Sequence, residues 1–338
     1  MGRQIRFFEA GVVYSVVQTV VDRAFMFAPN HAQGGHPLLA KGCPARSLQP
    51  GDARIPKASV INIVGAAAAR ALELAPVNLH ALGCSINHSH AVISAKDGDI
   101  AAISEFLRVF HSAVARGVNA LREREGHLFS GPPRITACAN DAEALEQVLY
   151  ALANPVKDGL VNSVKRTPFF STYARQAQGK ALEYWEIEWA DFYAAGGRRN
   201  GKLQPKQFLK WRELEIAPLP HLRGMSEHRR RTLIRKSVAA VEEKTAREFK
   251  AADKKLGPVS RHFETDPRSR PKTPRESGPK PLVHASSVEE AEAYREKYLE
   301  VRRAHAAASI AFRRGELDVE FPAGTFRPPL IRLVAGSS

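Results

Sequence analysis

The sequence predicts an α+β domain, a ferredoxin-like antiparallel sheet with helices on one face, followed by a basic, mainly helical C-terminal extension. Three observations carry that prediction. Segments rich in β-branched residues alternate with stretches of helical period, in the order β-α-β-β-α-β-α over residues 10–155. Two of the strand-like segments follow one another with only a short polar break, the pattern of an antiparallel hairpin. Positive charge then accumulates beyond this region: residues 1–166 hold 17 Lys/Arg against 13 Asp/Glu, and residues 167–338 hold 33 against 22.

"AGVVYSVVQTVV" (10–21) reads as the first strand. Residues 28–56, dense in Gly, Pro and polar side chains, read as a long loop or insertion. Alanine-rich "SVINIVGAAAARALELA" (59–75) has helical period and stops before Pro76. "LHALGCSIN" and "HSHAVISA" (79–95) read as two strands, with a hairpin turn near Ser85–Asn87. In 99–126 Ile103, Phe106, Phe110, Val114 and Val118 form one helical stripe, and Gly126 follows the last turn. "RITACA" (134–139) is a further strand, and 141–155 a helix opened by Asn140 or Asp141 and closed by Pro155. The first domain is therefore expected over 1–170.

A basic helical extension is expected over 171–257. It includes an aromatic group near a Gly/Arg loop (184–202) and a strongly basic helix (226–257). Residues 258–286 read as a Pro-rich basic linker, extended rather than folded. Residues 287–338 read as a last helix (288–314) and a tail.

Of the 338 residues, 50 are basic and 35 acidic, a net charge of +15. A surplus of that size attracts polyanions, either nucleic acid or an anionic membrane surface, although it can also serve solubility alone. Cys43, Cys84 and Cys138 are too few and too scattered for a disulfide framework or a four-ligand zinc site, which fits a reducing cytoplasm. The opening "MGRQIRFFEAG" has no long apolar segment followed by a small-residue cleavage site, and no stretch approaches ~18 apolar residues. The expectation is a cytoplasmic protein with no membrane partner and no obligate protein partner.

"SINHSHAVIS" (85–94) raises the functional question. On a strand His88 and His90 share a face, with Cα atoms roughly 7 Å apart, while Ser89 faces the other way. The bland reading is a pair of half-buried polar residues. On the helix at 141–155, Tyr150 and Asn154 are i, i+4 and share a face. If that helix lies beside the histidine strand, two imidazoles and an amide oxygen could hold a divalent cation, Mg2+ or Mn2+, next to a phenol. Such a site suits phosphodiester cleavage, with the cation polarising the phosphate and the phenolate attacking in line to leave a phosphotyrosine. A core tyrosine and a helix-ending asparagine are the plain alternatives.

"NHSHAVIS", followed about sixty residues later by "YALANPVKDGLV", resembles the pattern of single-tyrosine HUH transposases, and most of all the REP-associated tyrosine transposases. Their usual forms are near "MPNHVHLLV" and "YIxxNPVxAGLV". Asn119 and "GHLF" (126–129) match the family's asparagine, loop and "GxxW", with Phe129 in place of tryptophan. The likeness covers about 10–27 and 77–170. It implies an HUH nuclease domain in which His88 and His90 are the metal pair, Tyr150 is the nucleophile and Asn154 offers a third ligand. The implied substrate is single-stranded DNA near an imperfect hairpin, nicked to leave a 5′-phosphotyrosine link. Ser89 stands where the family has an apolar residue, and "YSV" (14–16) lacks a histidine often found in the opening strand.

Two rivals differ in kind. A zinc hydrolase using Cys84 with His88 and His90 is opposed by geometry, because on one continuous strand Cys84 and His88 would lie roughly 13 Å apart. A domesticated, non-catalytic DNA-binding relative would keep the fold and use only the charge. In either DNA reading Arg229, Arg230, Arg231, Arg235 and Lys236 are candidates to contact phosphates, or else form a solvated helix face. Trp185, Trp189 and Tyr193 could stack on bases or form the core of the second module.

Overall fold

Near-continuous runs of apolar and β-branched side chains draw the first half of the chain into a sheet, described here in a computed structural model over residues 5–29, 59–197, 203, 205–272 and 281–328. Strand β1 (Val13–Thr19) is followed by helix α1 (Val60–Leu74), strands β2 (Val77–Cys84) and β3 (His88–Ala95), helix α2 (Ala101–Leu121), strand β4 (Arg134–Cys138) and helix α3 (Asp141–Lys157). β3 pairs antiparallel with both β1 and β2, and β4 pairs antiparallel with β1, so the order is β2-β3-β1-β4. β3 thus lies between β1 and β2, a split β-α-β unit. The β2–β3 turn falls where the sequence places it, closed by Ser85 N–H donating to His88 C=O at 2.8 Å. Of the expected insertion at 28–56, only Ala28 and Pro29 lie within the described residues; Cys43 lies outside them.

The expectation of helices on one face is corrected. Tyr14, Val16 and Ile93 pack with α1 and α2 on one side of the sheet, whereas Val13, Ala81 and Val92 pack with α3 on the other. Strands apolar on both faces leave no side for water, and a second helical layer follows. The stripe Ile103, Phe106, Phe110, Val114 and Val118 is fully buried, as predicted. α2 stops five residues short of Gly126, because Glu123 turns to a positive φ of 47°.

Beyond residue 170 the chain adds α4 (Tyr173–Gln178), β5 (Glu183–Ile187), α5 (Trp189–Ala194), β6 (Leu209–Glu213) and α6 (Glu227–Ala251). The extension is thus not only helical. β5 and β6 form an antiparallel pair, tied to α1 by the buried Arg212 guanidinium, which meets Glu73, Glu186 and Glu188. α6 lies along α3, with Ile234 and Val238 against Val148 and Leu152.

The segment 258–286, expected to be extended, is in its described part packed against the domain. It holds a short helix, α7 (Arg261–Glu264), and a two-residue strand, β7 (Val283–His284), which joins the sheet parallel to β4. Ser269 C=O accepts from Phe25 N–H at 3.0 Å, and Arg270 pairs with Asp22 at 2.9 Å. Helix α8 (Val288–Arg313), capped by Ser287, closes the fold, and Gly324 C=O accepts from Phe8 N–H. Among the described residues no helix is long and apolar enough to cross a membrane.

Candidate active site

His88 opens β3 and His90 follows on the same face, opposite Thr19 and Val17 of β1. Their rings meet edge to face with centroids 4.9 Å apart. α3 begins at Asn140, whose Oδ1 accepts from Glu143 N–H at 2.9 Å, which resolves the capping alternative. Val148, Ala151 and Leu152 then seat α3 on Ala81 and Val92. That seating brings the Tyr150 ring to 5.0 Å from the His90 ring, again edge to face. His88, His90 and Tyr150 thus form one continuous row from strand to helix.

The helix does not close at Pro155, as expected, but runs on to Lys157 with the proline inside its last turn. Proline there lacks only the N–H that would have bonded Ala151 C=O. That carbonyl instead lies against Gly83, where an added Cβ would sit 2.1 Å from the oxygen. Gly83 is also the cross-strand partner of His90. The absent side chain at Gly83 lets α3 approach the histidine strand closely.

His90 is buried, and its Nε2 has no hydrogen-bond partner. Burial, with the neighbouring His88 and Arg134, holds its pKa well below the usual histidine range, so the ring is neutral and keeps a lone pair. His80 supplies an internal contrast: it too is buried and drawn down to about 4 by burial, but both of its nitrogens are satisfied, by Ser94 Oγ and Ala217 C=O. His80 is a structural histidine, and His90 is not satisfied in that way. Asn154 is 1% exposed, and neither its Oδ1 nor its Nδ2 finds a partner. Lys157 Nζ stands 4.5 Å from the centre of the Tyr150 ring, its pKa lowered chiefly by burial.

Two imidazole nitrogens and an amide oxygen, two of these groups being buried and unsatisfied, are the donors a small divalent cation takes. The donor types present are chemically suited to such an ion. Among the described residues, however, no group of three or more His, Cys, Asp and Glu side chains is arranged to hold a metal.

No family model and no curated protein matches the chain. Among solved structures, a REP-associated tyrosine transposase bound to a REP hairpin is similar at 16% identity and a TM-score of 0.33, over 53% of this chain and 86% of that one. The likeness is distant.

Sequence reasoning missed two residues beside the row. Asn87 Oδ1 accepts from His88 Nδ1 at 2.8 Å, and Asp158 Oδ2 lies 3.7 Å from His88 Nε2. Extending the Tyr150–Asn154 stripe by one further turn would have reached Asp158. Cys84 is excluded from the site: it pairs with Ser89 and packs on the α1/α2 side of the sheet, and burial pushes its thiol pKa far up. The motif residues Asn119 and Gly126 do meet, Asn119 Nδ2 donating to Gly126 C=O at 2.8 Å.

The basic candidates lie on the first turns of α6. Arg229, Arg235 and Lys236 are exposed, and Arg230 donates to Met225 C=O. Arg231 pairs with Glu227 at 2.6 Å. Arg231 and Arg235 line a cavity of about 470 Å³ together with Lys165 and His228, so the basic group is larger than the run in the sequence. Of the aromatic candidates, Trp185 lies half-buried in β5, while Trp189 and Tyr193 stack on one another with 37% and 45% exposure. The Gly/Arg loop beside them lies largely outside the described residues.

Proposed function

We propose that the protein is a metal-dependent single-tyrosine nuclease of the HUH transposase type, cleaving and rejoining single-stranded DNA at hairpin-associated sites. The observation that carries this reading is the row His88–His90–Tyr150, with ring centroids 4.9 and 5.0 Å apart, joining two separate elements. The unsatisfied Asn154 amide, one helical turn from Tyr150, supports it. So does the strand order β2-β3-β1-β4, which is that of a ferredoxin-like domain. The motif resemblance supplies the substrate class.

In this reading His88, His90 and Asn154 hold Mg2+ or Mn2+, which when bound would withdraw charge from a non-bridging oxygen of the scissile phosphate. The Tyr150 phenol gives up its proton to solvent water, its oxygen attacks phosphorus, and the departing 3′-oxygen takes a proton back from water. The bond to the 3′-oxygen breaks, freeing a 3′-hydroxyl and leaving the 5′-phosphate on the tyrosine. Lys157, over the Tyr150 ring, favours the phenolate by its charge. The α6 group Arg229, Arg230, Arg231, Arg235 and Lys236, joined by Lys165 and His228, holds the DNA backbone without reading its sequence. Because α6 packs on α3, DNA bound there stays rigidly related to Tyr150.

Oligonucleotides carrying a hairpin and a single-stranded flank, labelled at either end, test this with Mn2+ or with EDTA. The 5′-labelled piece should leave with a free 3′-hydroxyl while the 3′-labelled piece stays on the protein. Both products should require Mn2+ and vanish in Tyr150→Phe. Tight binding without cleavage across a broad hairpin library would contradict the reading and indicate a relative that only binds DNA.

A further inference from the structure

Four residues from four strands line up on the α3 face of the sheet. Gly83 on β2 pairs with His90 on β3, His90 with Val17 on β1, and Val17 with Arg134 on β4. Arg134 shares its face of β4 with Thr136 and with Cys138, which belongs to the core under α3. α3 starts beyond the far end of β4, at Asn140, and has reached Gly83 by Ala151, so it crosses the sheet obliquely. It leaves one corner uncovered, where Val17, Thr19 and Arg134 are each partly exposed. Tyr150, the residue before Ala151, stands at the border of that corner with its ring against His90.

Arg134 has no counter-charge there. Among the described residues no carboxylate pairs with its guanidinium, and its one hydrogen bond runs from Nε to Thr136 Oγ1 at 3.5 Å. Other arginines drawn into the fold are answered: Arg212 meets three glutamates, and Arg122 donates to the Met26 and Ala28 carbonyls. A guanidinium half out of water and without an anion in the fold is completed by an anion from solution. Two strand spacings, about 10 Å, separate the Arg134 and His90 Cα atoms. An anion resting over Val17 therefore has the imidazole and phenol on one side and the guanidinium on the other. The planar fork of arginine matches the two non-bridging oxygens of a phosphodiester.

We propose that the Arg134 guanidinium binds the scissile phosphate, reaching it across Val17 from the side opposite the histidines. The proposal rests on the nuclease reading above and adds the residue that takes the negative charge of the phosphate on the β4 side. Charge grows on the non-bridging oxygens as the Tyr150 oxygen approaches phosphorus. The contact then tightens in the transition state and acts on kcat as well as on binding.

The test uses the full chain with a hairpin oligonucleotide that it cleaves. Arg134→Gln should lower kcat for the covalent adduct by about 100–1000-fold and Arg134→Lys by roughly tenfold, with thermal unfolding unchanged. In EDTA, where nothing is cut, Arg134→Gln should weaken binding of the oligonucleotide about tenfold and leave binding of the hairpin stem alone unchanged. A single methylphosphonate at the cleaved position removes one charged oxygen, and wild type and variant should then bind alike. Should Arg134→Gln fail to fold, Arg134→Lys, which keeps the charge but not the fork, carries the comparison. If the variants cut and bind as the wild type does, Arg134 is only a surface arginine; the proposal is overturned and the nuclease reading stands. Equal losses for the oligonucleotide and for the stem alone would likewise overturn it, as the mark of a general backbone contact. If the wild type cleaves no hairpin oligonucleotide, the proposal falls with the reading on which it rests.

Discussion

Gly83→Ala is expected to lower the stability of the fold by about 1–3 kcal/mol and strand cleavage by on the order of 100-fold. The added methyl would lie 2.1 Å from Ala151 O and 3.1 Å from Ala151 C, both backbone atoms of α3. Backbone cannot swing aside as a long side chain can, so α3 must lift from β2. Tyr150 is the residue before Ala151, and His90 is the cross-strand partner of Gly83, so the lift opens the contact between the Tyr150 and His90 rings. Urea unfolding and the cleavage assay measure the two effects. Wild-type stability with wild-type cleavage would mean that the close approach of helix and strand does not set the site.

Asn154→Leu is expected to do the opposite to stability while abolishing cleavage. The amide is 1% exposed with neither atom paired, and each buried polar atom left unsatisfied costs about 1–3 kcal/mol. Leucine, of similar size and without polar atoms, removes that cost, so the folded state should gain about 1–2 kcal/mol in the absence of metal. Mn2+ should in turn stabilise the wild type more than the variant, because binding to the folded state alone adds stability by mass action. A structural asparagine would behave in reverse, with Asn154→Leu losing stability and keeping cleavage.

The elements that the sequence made plain are those with strong local signals. The stripe of α2, the Asn140 cap and the turn at Ser85–Asn87 are each written within a few residues. The sidedness of the helices was not legible, because periodicity says which residues are buried and not on which face of a sheet. β7 was missed because a two-residue strand has no period, and only its pairing with β4, more than 140 residues earlier, defines it. Pro155 reads as a helix end by a sound local rule. The rule gives way where the proline removes one bond in a last turn and the orphaned Ala151 carbonyl is covered by Gly83.

At the site, the alternate spacing of His88 and His90 and the i, i+4 spacing of Tyr150 and Asn154 could be read directly. That α3 lies over β3 is a tertiary fact, and spacing could only suppose it. Asn87 and Asp158 were invisible for the same reason, since their partners Arg23, Ser85 and His88 come from different elements.

The most direct measurement is mass spectrometry of the peptide that carries DNA after the protein has reacted with a hairpin oligonucleotide in Mn2+. The account predicts one modified peptide, spanning α3, with the 5′-phosphate of the cleaved strand on Tyr150. A covalent nucleotide on any other residue, or cleavage with no adduct, would contradict it.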